Sequence, residues 1–199
     1  FFTGLASGSS IIVSHFYGAS RKKELDNAVH TAIWISLFMG ALMTAAGLLS
    51  ASFALKIIGT PDTIFSASLS YLRIYFAGII PMFVYNMGSG ILRATGDSKS
   101  PLIILIIGAL INVALDLLFV YTLALGVRGA ALATVICETL CSVMVLLRMR
   151  RDKNFTFCIR RIRATPHIMR KMIRLGLPSG IQSSLYTVSN LLIQSNINS

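Results

Sequence analysis

Pro101-Leu-Ile-Ile-Leu-Ile-Ile-Gly-Ala-Leu-Ile-Asn-Val-Ala-Leu-Asp-Leu-Leu-Phe-Val-Tyr-Thr-Leu-Ala-Leu-Gly-Val127 carries a single charged residue, Asp116, and decides the fold class. A run of about 20 apolar residues crosses a bilayer as a helix, because each backbone polar group then finds its partner within its own segment. Comparable runs flank it. Ala28 to Leu55 holds no Asp, Glu, Lys or Arg, and Gly129 to Leu147 holds only Glu138. Working outward, spans are expected at 1–18, 29–57, 64–92, 101–125, 129–147 and 174–199. The chain reads as an all-α, polytopic transmembrane bundle.

Composition agrees. Only 13% of the 199 residues are charged and 55% are hydrophobic, about half the charge with which a soluble domain covers its surface. The formal charge is nevertheless +11. A basic balance raises nucleic acid as a partner, so the positions of the charges must decide. Fifteen of the 18 Lys and Arg fall in the first, third and fifth connections between spans, leaving Lys56, Arg73 and Arg128 elsewhere. That bias makes the basic connections cytoplasmic, in a multi-pass protein of the cell (inner or plasma) membrane. It accounts for the charge without any nucleic acid and makes membrane lipid the expected surrounding.

Neither end reads as a natural terminus: the chain opens at Phe1 inside one apolar stretch and closes at Ser199 inside another. A fragment is expected, with no cleavable signal peptide. Cys137, Cys141 and Cys158 form no zinc or redox pattern and read as reduced thiols.

Short connections make the first five spans antiparallel neighbours. Thr60-Pro61-Asp62 and Gly126-Val127-Arg128-Gly129 are turns, and Pro101 suits a helix's first turn. The 148–173 stretch is basic. Within it Thr165-Pro166 starts a short amphipathic helix of the kind that lies on a membrane surface. Gly4-Leu-Ala-Ser-Gly8 permits close helix approach, and Pro81 and Pro178 interrupt their spans.

An intramembrane charge is costly and marks a cavity or a partner. Asp116 is the strongest case, with Asn112 one turn before it on the same face. At 1.5 Å per residue Asp116 lies about 22 Å beyond Pro101, about 8 Å short of the outer edge of a 30 Å core. Thr134 enters from that edge to a depth of about 9 Å, and Tyr71 to about 10 Å. A carboxylate, an amide oxygen and hydroxyls at one level suit a hard cation such as Na⁺, or a titrating proton. The competing reading is an Asp116–Arg73 ion pair. Glu138, nearer the midplane, is a second titratable group, a rim residue or the partner of a residue outside this stretch of sequence. His15 and His30 read as ordinary interfacial residues. No paired catalytic carboxylates, nucleophile constellation or metal-ligand cluster supports an enzyme.

Five stretches together resemble the multidrug and toxic compound extrusion (MATE) family: Val13-Ser-His-Phe-Tyr-Gly-Ala19, Gly90-Ile-Leu-Arg-Ala-Thr-Gly-Asp-Ser-Lys-Ser-Pro101, Asn112-Val-Ala-Leu-Asp116, Leu125-Gly-Val-Arg-Gly-Ala-Ala-Leu-Ala-Thr134 and Leu175-Gly-Leu-Pro-Ser-Gly-Ile-Gln182. The resemblance implies a two-lobe, twelve-helix antiporter that exports small amphiphilic or cationic molecules in exchange for Na⁺ or H⁺ by alternating access, without a cofactor. Residues 1–147 would then belong to an N-lobe lacking its first helix, 148–173 to an inter-lobe linker, and 174–199 to the start of the C-lobe. The resemblance carries a cation site onto Asp116, Asn112 and Thr134, with Tyr71 and Asn86 as further polar members. The alternative within the same superfamily is a lipid-linked oligosaccharide flippase. It should line its cavity with several cations, whereas the spans here hold only Arg73 as an interior cation. A channel or structural membrane protein would not require a titratable Asp116.

Overall fold

The computed structural model describes residues 2–197, so Phe1, Asn198 and Ser199 of the expected first and last spans lie outside the described residues. Every regular element among the described residues is helical. The helices are α1 (Phe2–Gly18), α2 (Lys22–Ile57), α3 (Asp62–Ala77), α4 (Ile79–Ala94), α5 (Lys99–Asp116), α6 (Val127–Arg150) and α7 (Pro166–Ile197). A π-helical segment, Leu117–Thr122, continues α5, and a 3₁₀ turn, Ile159–Arg161, lies in the basic connection. Four stretches are long and apolar enough to cross a membrane: Lys22–Ile57, Asp62–Ala94, Lys99–Thr122 and Val127–Arg150. The all-α, multi-pass expectation is therefore met.

Three local details differ from the sequence reading. The span expected at 64–92 is two helices, α3 and α4, broken at Gly78 and not at Pro81. Pro81 has no N–H to give to the carbonyl of residue 77 and its ring crowds that carbonyl, so the disturbance falls one turn upstream. There the Gly78 N–H bonds both Ile74 O, at 3.3 Å, and Tyr75 O, at 3.0 Å. The second difference follows Asp116, where the ladder widens so that Leu123 N–H reaches Leu118 O, five residues back, at 2.9 Å. Third, the amphipathic segment after Thr165 and the last span form one helix, α7, with Pro178 inside it. Ile168, Met172, Gly176 and Gly180 recur every fourth position, so one apolar stripe runs through both parts and holds them as a single rod.

The chain divides into two compact units. The first comprises Phe1–Ile35, Asn86–Asp97 and Arg150–Ser199. Its core holds Val13, Val29, Ile33, Met87, Ile91, Leu92, Ile168 and Met172, all nearly or fully buried. In it α1 crosses α7 at the small residues of Gly4-Leu-Ala-Ser-Gly8 and Gly176-Leu-Pro-Ser-Gly180. A Cβ on Gly4 would fall on the Gly180 backbone and one on Gly8 on the Gly176 backbone, while one on Gly176 would lie 3.0 Å from Gly4 O. The expected close approach at Gly4 and Gly8 thus exists, with a second small-residue pair as its partner. Gly96 closes α4 with φ +94°, a left-handed conformation that favours glycine.

The second unit comprises Ser36–Tyr85 and Ser98–Met149. It buries far less: α3 has no buried residue, and α5 buries only Pro101, Ile104 and Gly108. Leu102, Leu105, Ile106, Leu110 and Val113 are all more than half exposed. An apolar face of this extent is incompatible with water and suits hydrocarbon.

Candidate functional site

The pairing of α5 with α6 fixes the level of the polar residues in the second unit. Cys137 Sγ donates to Gly108 O at 2.9 Å, and Cys141 Sγ approaches Ile104 O at 3.8 Å. Moving one turn forward on α6 moves one turn back on α5, so the helices are antiparallel and in fixed register. Continued one turn further, that register sets Asn112 level with Ala133 and Thr134. The sequence estimate puts Asp116 and Thr134 at one level; by this register Thr134 stands level with Asn112 instead, five positions, about 7 Å, from the level of Asp116. Asp116 falls level with Gly129. There the helices close in: a Cβ on Gly129 would lie 3.0 Å from the Phe119 carbonyl carbon and oxygen.

Asp116 is the last residue of α5 proper, at the junction with the π-helical segment. Such widened turns recur at functional sites because they re-aim the side chains beside them. Asp116 Oδ1 is buried and has no hydrogen-bond partner, and among the described residues no ion pair links it to Arg73. Arg73 is itself exposed. The ion-pair reading therefore finds no support. A buried polar oxygen without a donor is costly, so a ligand that supplied one would be bound favourably there.

A cavity of about 110 Å³ opens beside α6, lined by Tyr75, Gly78, Met82, Thr134, Val135 and Glu138. The α3–α4 break creates it. Without a side chain at Gly78, the backbone comes so near α6 that a Cβ there would lie 2.5 Å from Val135 Cγ2. Thr134 Oγ1 donates to Ala130 O at 3.0 Å, which leaves its lone pairs available to a cation. Glu138, one turn on, also has a buried carboxylate oxygen, Oε2, without a hydrogen-bond partner. The nine positions separating Glu138 from the level of Asp116 correspond to about 13 Å along the helix axis.

Of the five predicted site residues only Thr134 lines this cavity; Asp116, Asn112, Tyr71 and Asn86 do not. Tyr71 stacks on Tyr75, with centroids 6.2 Å apart and planes at 11°, and Tyr75 is the ring that lines the wall. Asn86 belongs to the first unit, where it lines a groove of about 450 Å³ with Ser10, Ser14 and Arg93. The sequence held the signal for Tyr75, since it sits one turn from Tyr71 on the same face. Glu138 likewise follows Thr134 by four. Among the described residues, no cluster of three or more His, Cys, Asp or Glu is arranged to hold a metal. Any cation site here would rest on mixed carboxylate, amide and hydroxyl oxygens.

His30 is more than an ordinary interfacial residue. It is only 6% exposed. Its Nε2 accepts the Cys158 N–H at 3.2 Å, and Nδ1 meets Asp26 O at 2.7 Å, which identifies the neutral Nδ1-protonated tautomer. Asp26 Oδ1 accepts the Thr156 N–H at 2.8 Å and Thr31 Oγ1 the Thr165 N–H at 3.1 Å. Three side chains on two turns of α2 therefore hold the basic connection.

Comparison with known proteins gives this architecture its relatives. The chain is 32% identical to the probable multidrug resistance protein YoeA of Bacillus subtilis (strain 168), over 100% of the chain and 44% of that protein. It superposes on the outward-facing conformation of a multidrug resistance MATE family transporter of the MOP superfamily with a TM-score of 0.88. The identity is 28%, covering 98% of this chain and 44% of that one. The inward-facing conformation of such a transporter matches with a TM-score of 0.83 at 29% identity, over 89% of this chain and 41% of that one. The chain thus spans less than half the length of these relatives. The MatE family model matches residues 1–118, more than half of the sequence, and the chain belongs to the MatE family.

Proposed function

We propose that this chain forms most of the first lobe of a secondary active exporter. In this reading a small amphiphilic or cationic molecule leaves the cell in exchange for Na⁺ or H⁺ bound at Asp116. The carrying observation is one oxygen of the half-buried Asp116: Oδ1 is buried, has no hydrogen-bond partner and sits where α5 turns π-helical. Asn112 and Thr134, level with each other and about one turn deeper than Asp116, supply neutral oxygens, and Glu138 is a second acid about two and a half turns deeper than Asp116. Relatives described in inward- and outward-facing conformations support alternating access. The ion drives the exchange only if its affinity differs between the two arrangements, since equal binding would shift nothing.

The orientation proposed sets the basic connections on the cytoplasmic side of the cell membrane. The stretch 148–173 acts as the connection between lobes, and α7 from residue 174 opens the second lobe. The chain's work is binding and conformational exchange, not bond chemistry.

The test is efflux of a fluorescent organic cation from cells expressing the full-length protein, with the Na⁺ and pH gradients collapsed in turn. Export that stops when one gradient is removed supports the reading and names the ion. Export indifferent to both gradients contradicts it.

A further inference from the structure

The first unit contains a cavity of about 510 Å³ between the first turns of α2 and the 156–163 connection. Its charged lining is Lys23, Asp26, Arg160, Arg161 and Arg163, with His30 at its wall. Asp26 is the one acid in this lining and offsets one of the four cations, leaving a net charge of about three. Asp26 Oδ1 accepts the Thr156 N–H, and the neutral His30 accepts the Cys158 N–H. Glu24, the nearest other acid along α2, pairs with Arg21 at 3.4 Å. None of Lys23, Arg160, Arg161 and Arg163 has a carboxylate partner among the described residues. Four cations therefore converge on one concave space, and the backbone around it is held by hydrogen bonds to α2.

Its level in the membrane follows from α2. About 20 residues cross the hydrocarbon, and α2 has 36, with Lys22, Lys23, Glu24 and Asp26 all at its start. The cavity thus sits at the headgroup level, where basic pockets between helices take up lipid phosphates. We propose that this cavity binds a phosphate-bearing anion, whether an acidic phospholipid headgroup or a soluble phosphate. The bound anion would pin the 156–163 connection to α2.

The test is calorimetric titration of the detergent-solubilised full-length protein with short-chain phosphatidylglycerol, short-chain phosphatidylcholine and inorganic phosphate. Arg160→Gln, Arg161→Gln and Arg163→Gln are combined in one variant. A second variant combines Arg170→Gln, Lys171→Gln and Arg174→Gln, which remove as much charge from α7. At about fivefold per cation, the first variant should weaken phosphatidylglycerol binding roughly 100-fold, and the second should leave it within a few-fold. Lys23→Gln alone, at an exposed position, should cost about fivefold and serves if the triple variant does not fold. Selective binding of phosphatidylglycerol, without competition by inorganic phosphate, identifies a lipid source. Competition by phosphate identifies a soluble one. Equal weakening by the two triple variants, or no binding of either phosphate species above phosphatidylcholine, overturns the proposal.

Discussion

The Cys158 amide N–H donates to Nε2 of His30 across 3.2 Å, joining positions 128 residues apart. His30 is the middle of three anchors, between Asp26 and Thr31, and it is buried against Phe157 with ring centroids 5.6 Å apart. His30→Ala removes the acceptor and leaves that N–H unsatisfied, which costs about 1–3 kcal/mol. The expected result is faster trypsin cleavage at Arg160, Arg161 and Arg163 and a lower Tm for the full-length protein. Cleavage at the parental rate would mean that the anchor is not what holds the connection.

Gly8→Ala pushes a methyl group into the Gly176 backbone, which cannot yield as a flexible side chain does. Overpacking of this kind costs about 1–3 kcal/mol, so a lowered midpoint of thermal unfolding is expected. Gly18→Ala is the control, because a Cβ there meets nothing within 4 Å. Equal behaviour of the two variants would dissociate the α1–α7 crossing from stability.

Thr134→Val keeps the shape of the side chain and removes the hydroxyl of a residue that lines the cavity with Glu138. Loss of one neutral oxygen ligand should raise the half-saturating concentration of the coupling ion about tenfold while maximal transport is largely kept. Thr134→Ser should retain most of the parental affinity. A Thr134→Val protein with unchanged ion dependence would remove Thr134 from the site.

Most of the span pattern was legible because hydropathy and length act residue by residue, without knowledge of neighbours. The residues proposed for the polar site were legible for the same reason: Asp116, Asn112 and Thr134 stand out wherever a long apolar run contains them. The remaining features depend on contacts from elsewhere in the chain. Tyr75 lines the cavity wall only because the chain breaks at Gly78, one turn ahead of Pro81. His30 becomes an anchor only when Thr156 to Thr165 returns to α2. The single rod of α7 was obscured by its composition, since a basic segment and an apolar one share the stripe Ile168, Met172, Gly176 and Gly180.

Orientation is open to direct chemistry. In a background where Cys137, Cys141 and Cys158 are replaced, Lys153→Cys lies in the exposed basic connection, and Ile58→Cys, at a position 78% exposed, follows α2. A membrane-impermeant maleimide should label Ile58→Cys in intact cells and Lys153→Cys only after the membrane is opened. The reverse pattern would invert the proposed topology.

The central claim is that the Asp116 carboxylate couples the ion to transport. The most direct measurement compares the full-length protein with Asp116→Asn in proteoliposomes, recording substrate binding and gradient-driven substrate flux separately. The account predicts that the variant binds substrate with near-parental affinity and loses gradient-driven flux by more than about tenfold, the expected cost of removing a charge-assisted ligand. Full gradient-driven flux in Asp116→Asn would contradict it.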